Sequence, residues 1–365
     1  MATFLKSFAG RRVFVTGHTG FKGSWLSEWL LGLGADVTGF SLPPDTKPSL
    51  FVRLGLEKRL NHTLGDLRDA SAVSRALAVA NPDFVFHLAA QPIVRAAHAD
   101  PAGTWATNVM GSVNLLEALR AQKHPCAAVF VTTDKVYRGT REANAEGDPL
   151  GGIDPYGGSK AAVELAVEAW RQAFFRVPES PKGVFPTVAL ATARSGNVIG
   201  GGDWARDRLL PDCMRALSRK APIVVRNPAH VRPWQHVLDP LAGYLKLATE
   251  LHDALDARRA GKLAELSGAF NFGPAEYDHH TVREVVAEVL KRWPGRWRKA
   301  PKGHYLAEAT ELRLDASKAQ RLLGWRPRWP FDRAVEQTVA WYRGASSPSG
   351  ALKMTLIQLA EYTAS

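Results

Sequence analysis

Short apolar runs alternate with stretches of helical spacing through the first half of the chain. Arg12-Val-Phe-Val-Thr16 is a β-rich run, and beyond it Trp25, Leu26, Trp29, Leu30 and Leu33 recur three and four residues apart, which predicts a helix. Residues 34–40 and 62–65 read as the next two strands, with a helix running to Ala80. Residues 83–90 form a near-continuously apolar fourth strand, as a sheet covered on both faces requires. A long helix is expected over 104–120, a fifth strand over 127–131, a helix from the Asp154 region to Phe175, and a sixth strand over 186–193. Strands alternating with helices imply right-handed crossovers and a Rossmann-type doubly wound parallel sheet of the α/β class.

The second half is patterned differently. Helices over 239–253, 281–293 and 331–342 and a strand over 269–272 predict a smaller α+β substrate-binding C-terminal domain. The expected division is a nucleotide-binding domain over 1–193, to which 234–262 returns, and a substrate domain over 194–233 and 263–345. Residues 346–350 read as a flexible hinge before a tail, 346–365, that carries a short amphipathic helix over 352–362.

Three polar stretches interrupt this pattern where ligands bind in such sheets, at the carboxyl ends of strands. The first strand leads straight into Gly17-His-Thr-Gly20-Phe-Lys-Gly23 and then a helix. That is the context in which glycines admit backbone N–H groups close to a pyrophosphate at a helix N-terminus. Gly17, His18, Gly20, Phe21, Lys22 and Gly23 are therefore cofactor-binding candidates. The second strand ends Phe40-Ser41 without the acidic residue that marks many NAD sites, and no arginine stands there for a 2′-phosphate. His18 and Lys22 are the groups expected to reach that region, and the choice between NAD and NADP stays open on these residues. The fifth strand ends in Thr132-Thr133-Asp134-Lys135, an acid beside a base. Tyr156 and Lys160 lie four apart on one helical face, behind Pro155. An ammonium beside the phenol would favour phenolate; a plain surface pair is the alternative.

Composition changes this picture little. The 365 residues are 45% hydrophobic and 22% charged, as in ordinary globular proteins. No apolar run approaches the roughly 20 residues that span a bilayer, and the first ten residues lack an apolar signal core. Two cysteines, Cys126 and Cys213, are too few for a disulfide framework, so a reducing cytoplasm is expected and Cys126 reads as a core residue. The net charge of +12 raises a nucleic-acid reading, concentrated in residues 291–302, where Trp293 and Trp297 interleave with basic residues. A solvated face with tryptophans folded onto the core is the preferred reading, so no nucleic-acid partner is expected. His236 reads as a core histidine, and the His279-His280 pair lacks further ligands at metal-site spacing, so no metal is expected.

Together, Thr16-Gly-x-x-Gly20-x-x-Gly23, Asp66-Leu67, His87-Leu-Ala-Ala90, Thr107-Asn108, Tyr156-x-x-x-Lys160, Arg194-Ser-Gly-Asn197 and Arg232-Pro-Trp-Gln-His236 resemble the extended short-chain dehydrogenases/reductases acting on sugar nucleotides, nearly end to end. Thr-Asp ahead of the tyrosine is similar to the 4,6-dehydratases of that family, whose dTDP- and GDP-sugar members usually show Thr-Asp-Glu where this chain has Thr133-Asp134-Lys135. Gly17 to Gly23, His87-Leu-Ala-Ala-Gln-Pro92 and Gly200-Gly-Gly-Asp-Trp204 resemble most the branch acting on CDP-glucose. The resemblance implies NAD as cofactor, with Asp66 and Leu67 at the adenine and Leu88, Ala89, Ala90 and Asn108 also lining its site. It implies Thr133, Asp134, Lys135, Tyr156 and Lys160 as catalytic residues, with Asp134 the acid and Lys135 the base, or the two sharing one proton with the roles exchanged. It implies Gln91, Asn197, Arg208 and Arg232 as substrate ligands, Asn197 and Arg232 for the diphosphate. A homodimer or homotetramer through the Asn108 and Tyr156 helices is expected. A UDP-N-acetylglucosamine or dTDP-glucose 4,6-dehydratase, a 4-epimerase and a non-catalytic dinucleotide-binding regulator are the alternatives.

Overall fold

A computed structural model describes residues 3–139, 143–276, 278–301 and 311–364. The central sheet is built from β1 (Arg12–Thr16), β2 (Asp36–Ser41), β3 (Asn61–Leu64), β4 (Phe84–His87), β5 (Cys126–Val131), β6 (Val188–Ser195) and β7 (Ala269–Phe272). Their order is β7-β6-β5-β4-β1-β2-β3, and every pairing is parallel. This is the doubly wound Rossmann arrangement, with its switch point between β1 and β4. Strands β4, β5 and β6 are buried at every residue, which explains their unbroken apolar character.

The covering helices are α1 (Phe21–Gly32), α2 (Ala70–Ala80), α3 (Pro155–Phe174), α4 (Leu238–Asp256), α5 (Val282–Arg292), α6 (Phe331–Gly344) and α7 (Pro348–Ala364). One apolar cluster joins α1, α4 and the tail to one face of the sheet, and a second packs α2 and α3 on the other. Cys126 is fully buried in the second. A third cluster, with Ile199, Met214, Ile223, Val285 and Val335, lies under the smaller α+β assembly. There Ile223–Val225 pairs with Trp297–Lys299 and Val231–Arg232 with His280–Thr281. Trp293 and Trp297 of the basic run pack on this cluster; Lys302, at the end of that run, lies outside the described residues.

Three expectations need correction. Residues 269–272 do not belong to the smaller assembly. They pair with Thr192–Ser195 and extend the main sheet. The helix expected over 104–120 is broken by a π-helical stretch, Ala106–Met110. Asn108 sits in it, and its carbonyl accepts the Ser112 hydroxyl at 2.6 Å, diverting an acceptor from the regular ladder. Finally, the tail is no hinge plus short helix. Helix starts at Pro348 and is docked, because fully buried Tyr362 donates to Asp239 at 2.8 Å and the Trp341 indole donates to Thr355 at 2.9 Å.

Candidate active site

The Gly17–Gly23 loop leaves β1 and enters α1, whose N-cap is Gly20. Gly17 has a φ of +75°, and a Cβ there would lie 2.6 Å from the Ala89 backbone nitrogen. A Cβ at Gly23 would lie 2.1 Å from the Gly17 carbonyl oxygen. Only glycine permits this tight crossing of loop, helix and the β4 end, and the helix N-terminus it exposes suits an anion. The opposite wall is set by Thr16 and His87. Their side chains meet at 2.7 Å, and Thr16 accepts from Ala89 N–H at 3.2 Å, fixing Leu88, Ala89 and Ala90 beside the loop.

These walls belong to one cavity of about 860 Å³. Gly17, Gly20, Phe21, Gly23, Asp66, Leu67 and Leu88–Ala90 line one part of it. Thr133, Asp134, Lys135, Tyr156 and Lys160 line the same cavity, as do Asn197, Arg208 and Arg232. Asp154 caps α3 by accepting from the Tyr156 and Gly157 backbone N–H groups, which aims Tyr156 and Lys160 from the first turn. Asp134 is buried; its Oδ1 accepts the Thr133 hydroxyl at 3.0 Å, and its Oδ2 has no partner among the described residues. An unsatisfied buried carboxylate oxygen in a cavity wall is costly without a function.

The Tyr156 phenol shares a hydrogen bond with Thr133, yet burial and the nearby Asp134 charge push its pKa up to about 12. Lys160 does not counter this. Its ammonium donates to the Val131 carbonyl at 3.0 Å, and burial pulls its own pKa down to about 8 against the pull of Glu164. In the protein alone, burial of the phenol sets the direction of the shift.

Several assigned side chains lie elsewhere. His18 is completely buried beneath the loop, bonded to His62 at 2.7 Å and edge-on to Phe51; burial and His62 lower its pKa to about 3. It is a support, not a cavity residue. Lys22 lines the cavity but points away from the β2 end, donating to Ser195 at 2.8 Å with Tyr244 at 3.4 Å. Burial, then Arg208 and Lys160, bring its pKa down to about 7. Asn108 and Gln91 spend their polar atoms on each other and on the scaffold: Asn108 accepts from Gln91 N–H at 2.7 Å and donates to Ser159 at 2.9 Å, while the Gln91 amide donates to Thr104. Both hold the loop after β4 against α3 rather than facing the cavity. Arg208 lines the cavity and is ion-paired with buried Asp203 at 2.9 Å. Arg232 is buried, donating to the Val231 carbonyl at 2.8 Å. His236 is a core residue between Trp25 and Trp329, neutral because burial lowers its pKa to about 3. Among the described residues, no three His, Cys, Asp or Glu side chains gather as a metal site, and no helix is long and apolar enough to cross a membrane.

The sequence profile of the GDP-mannose 4,6 dehydratase family matches residues 14–338. The chain belongs to this family. Over 339 residues it is 42% identical to the CDP-glucose 4,6-dehydratase of Salmonella typhimurium, covering 92% of this chain and 91% of the relative. The fold superposes on UDP-glucose 4-epimerase of Thermus thermophilus in complex with NAD, with a TM-score of 0.76, 27% identity and coverage of 92% and 99%. It also superposes on the dTDP-glucose 4,6-dehydratase of Streptomyces venezuelae with NAD bound, with a TM-score of 0.72, 26% identity and coverage of 92% and 97%.

Within this 4,6-dehydratase chain, other cavity residues carry little or no sequence signal. Ser41 and Thr19 close the β2 end with a 2.8 Å hydroxyl pair, which Phe40-Ser41 gives no reason to single out. Ser195 stands inside the Arg194-Ser-Gly-Asn motif, so that motif is the available clue. Behind Ser195, and not itself lining the cavity, Tyr244 lies mid-helix in α4 with no motif around it; only the fold brings it to Ser195, at 2.8 Å.

Proposed function

We propose that the chain is a CDP-D-glucose 4,6-dehydratase, an NAD-dependent hydro-lyase converting its substrate to CDP-4-dehydro-6-deoxy-D-glucose and water. The observation that carries this reading is the unpartnered Oδ2 of buried Asp134, in the same cavity wall as Tyr156 and Lys160. An epimerase has no need of an acid beside Lys135, and a non-catalytic binder none of the whole set. The Salmonella typhimurium relative supports the CDP-sugar as the substrate.

The glycine cradle, whose crossings leave no room for a Cβ, fits the pyrophosphate of NAD, with Asp66 and Leu67 toward the adenine and Lys160 toward the nicotinamide ribose. NAD, when bound there, would supply a hydride acceptor for oxidation at C4 and a hydride donor for reduction at C6. The chain's own residues move the protons. Tyr156, oriented by Thr133, takes the 4-hydroxyl proton; its raised pKa requires positive charge nearby to make it a phenolate. A ketone at C4 makes the C5 proton acidic. In this step Lys135, its amine neutral, takes the C5 proton while Asp134, its carboxyl protonated, gives its proton to the departing 6-hydroxyl, which leaves as water; Lys135 then returns its proton to C5. Asn197 and Arg232, with Arg208, hold the diphosphate.

A cytoplasmic homodimer or homotetramer belongs to the same reading. Exposed Trp105 and Met110 before and within the π-helical stretch, and exposed Leu165 on α3, support an interface there.

Incubation with a panel of nucleoside diphosphate glucoses tests the proposal. CDP-glucose is expected to give a 4-keto-6-deoxy sugar, seen by mass as loss of water and by the absorbance it develops in strong base. Turnover of only UDP- or dTDP-glucose would make the CDP assignment wrong.

A further inference from the structure

We propose that Thr132, Glu164, Arg194 and Tyr137 form a positioning unit that clamps the Asp134-Lys135 turn to the Tyr156/Lys160 helix and governs water loss separately from C4 oxidation. The inference rests on the acid/base roles just assigned to that turn.

Within the turn Val136 is anchored, fully buried and accepting at its carbonyl from Gly151 N–H at 2.8 Å, which leaves the placing of Asp134 and Lys135 to what holds the flanks. Asp134–Val136 is a single 3-10 turn, in which Thr133 caps Lys135 N–H at 3.4 Å. Such turns are too short, and their hydrogen bonds too poor, to fix side chains alone. Its two flanks are tied instead. On the N-terminal side, Thr132 donates to Glu164 Oε1 at 2.5 Å. On the C-terminal side, the Tyr137 hydroxyl accepts from Arg194 at 2.9 Å and donates to Asn271 at 2.7 Å. Arg194 closes the circuit by binding Glu164 twice, at 3.0 and 2.9 Å.

Glu164 is the third member of a four-residue series along α3, after Tyr156 and Lys160. One carboxylate thus links the catalytic helix to one end of the acid/base turn directly and to the other through Arg194. Its remaining capacity goes to Thr192, at 2.6 Å. The Arg194–Glu164 pair is almost wholly buried, with side chains 3% and 4% exposed.

Sheet assembly does not need this arrangement. Strands β5 and β6 are already paired along Cys126–Val131, from Cys126 with Val188 to Val131 with Ala193. Burying an ion pair is rarely the most stable solution, and its best-attested use is to specify one arrangement. What this one specifies is where Asp134 and Lys135 stand relative to Tyr156. Tyr156 has a support of its own in the Asp154 cap at the start of α3, so proton removal at O4 depends on the clamp less than water loss does.

Two near-isosteric variants test this, one at each flank: Tyr137→Phe and Thr132→Val. With the purified enzyme and CDP-glucose, rapid quenching and borodeuteride trapping measure the 4-keto hexose that keeps its 6-hydroxyl, and mass spectrometry measures the 6-deoxy product. Displacing a reacting group by about 1 Å can cost on the order of 100-fold. Water loss is therefore expected to slow about 10- to 100-fold, while formation of the 4-keto hexose changes less than about threefold and that species accumulates. The proposal is overturned if both steps slow in proportion, if C4 oxidation alone slows, or if neither changes. A parallel Asp134→Asn arm separates the two claims. If that variant also fails to accumulate the 4-keto hexose, the role of Asp134 has failed; if it accumulates and the flank variants do not, only the clamp has failed.

Discussion

Asp134→Asn leaves C4 oxidation running and slows water loss about 10²–10⁴-fold, the range that a positioned general acid contributes. The substitution keeps the shape of the side chain, so the Thr133 hydroxyl retains an acceptor of the Asp134 Oδ1 kind at 3.0 Å. What disappears is the proton for the 6-hydroxyl, which the unpartnered Oδ2 is placed to carry. Tyr156 keeps its position at the start of α3, so the first step proceeds and the system stalls at the 4-ketone, with reduced nicotinamide absorbance persisting. Dehydration at the wild-type rate in this variant would remove Asp134 from the mechanism.

Arg194→Met is the second large effect, and it falls on stability. The guanidinium serves Glu164 twice, the Tyr137 hydroxyl and the Glu146 carbonyl. Burial alone pulls its pKa down, yet Glu164 more than offsets this and holds it above the usual value. Methionine fills similar volume but leaves the buried Glu164 carboxylate with Thr132 and Thr192 as its side-chain hydrogen-bond partners among the described residues. Breaking a buried pair by removing one partner costs about 3–5 kcal/mol, readable as a lower urea midpoint with an unchanged slope. A loss under about 1 kcal/mol, the range of exposed pairs, would show that the site rehydrates and that the pair is no structural anchor.

Much of this site is legible in the amino-acid sequence, for a physical reason. The glycine loop, the Thr133-Asp134-Lys135 strand end and the Tyr156/Lys160 spacing are local in the chain, and the strand–loop–helix context tells each where it stands. All line one cavity. Direction is harder to read than position. Lys22 is in the right loop, yet at the second residue of α1 its side chain swings toward Ser195 and Tyr244. His18, Asn108 and Gln91 sit inside the right motifs, yet their polar atoms are consumed by the scaffold. Motif membership does not tell a ligand from the residue that holds the ligand's loop. Long-range pairings are the least legible. Nothing in Ala269–Phe272 says that it will join β6 rather than the smaller assembly, because an apolar run fits either. The docking of α7 rests on Tyr362 reaching Asp239, 123 residues away in sequence.

The sharpest measurement follows the atom at C4. CDP-glucose carrying deuterium at C4 is incubated with the enzyme, and the 6-deoxy product is examined for label. If Tyr156, Asp134 and Lys135 act as assigned, deuterium leaves C4 and appears at C6 of a 4-keto sugar that has lost water. Deuterium returned to C4 of an intact hexose, or a 6-deoxy product without label at C6, would contradict a dehydratase that works by this sequence of steps.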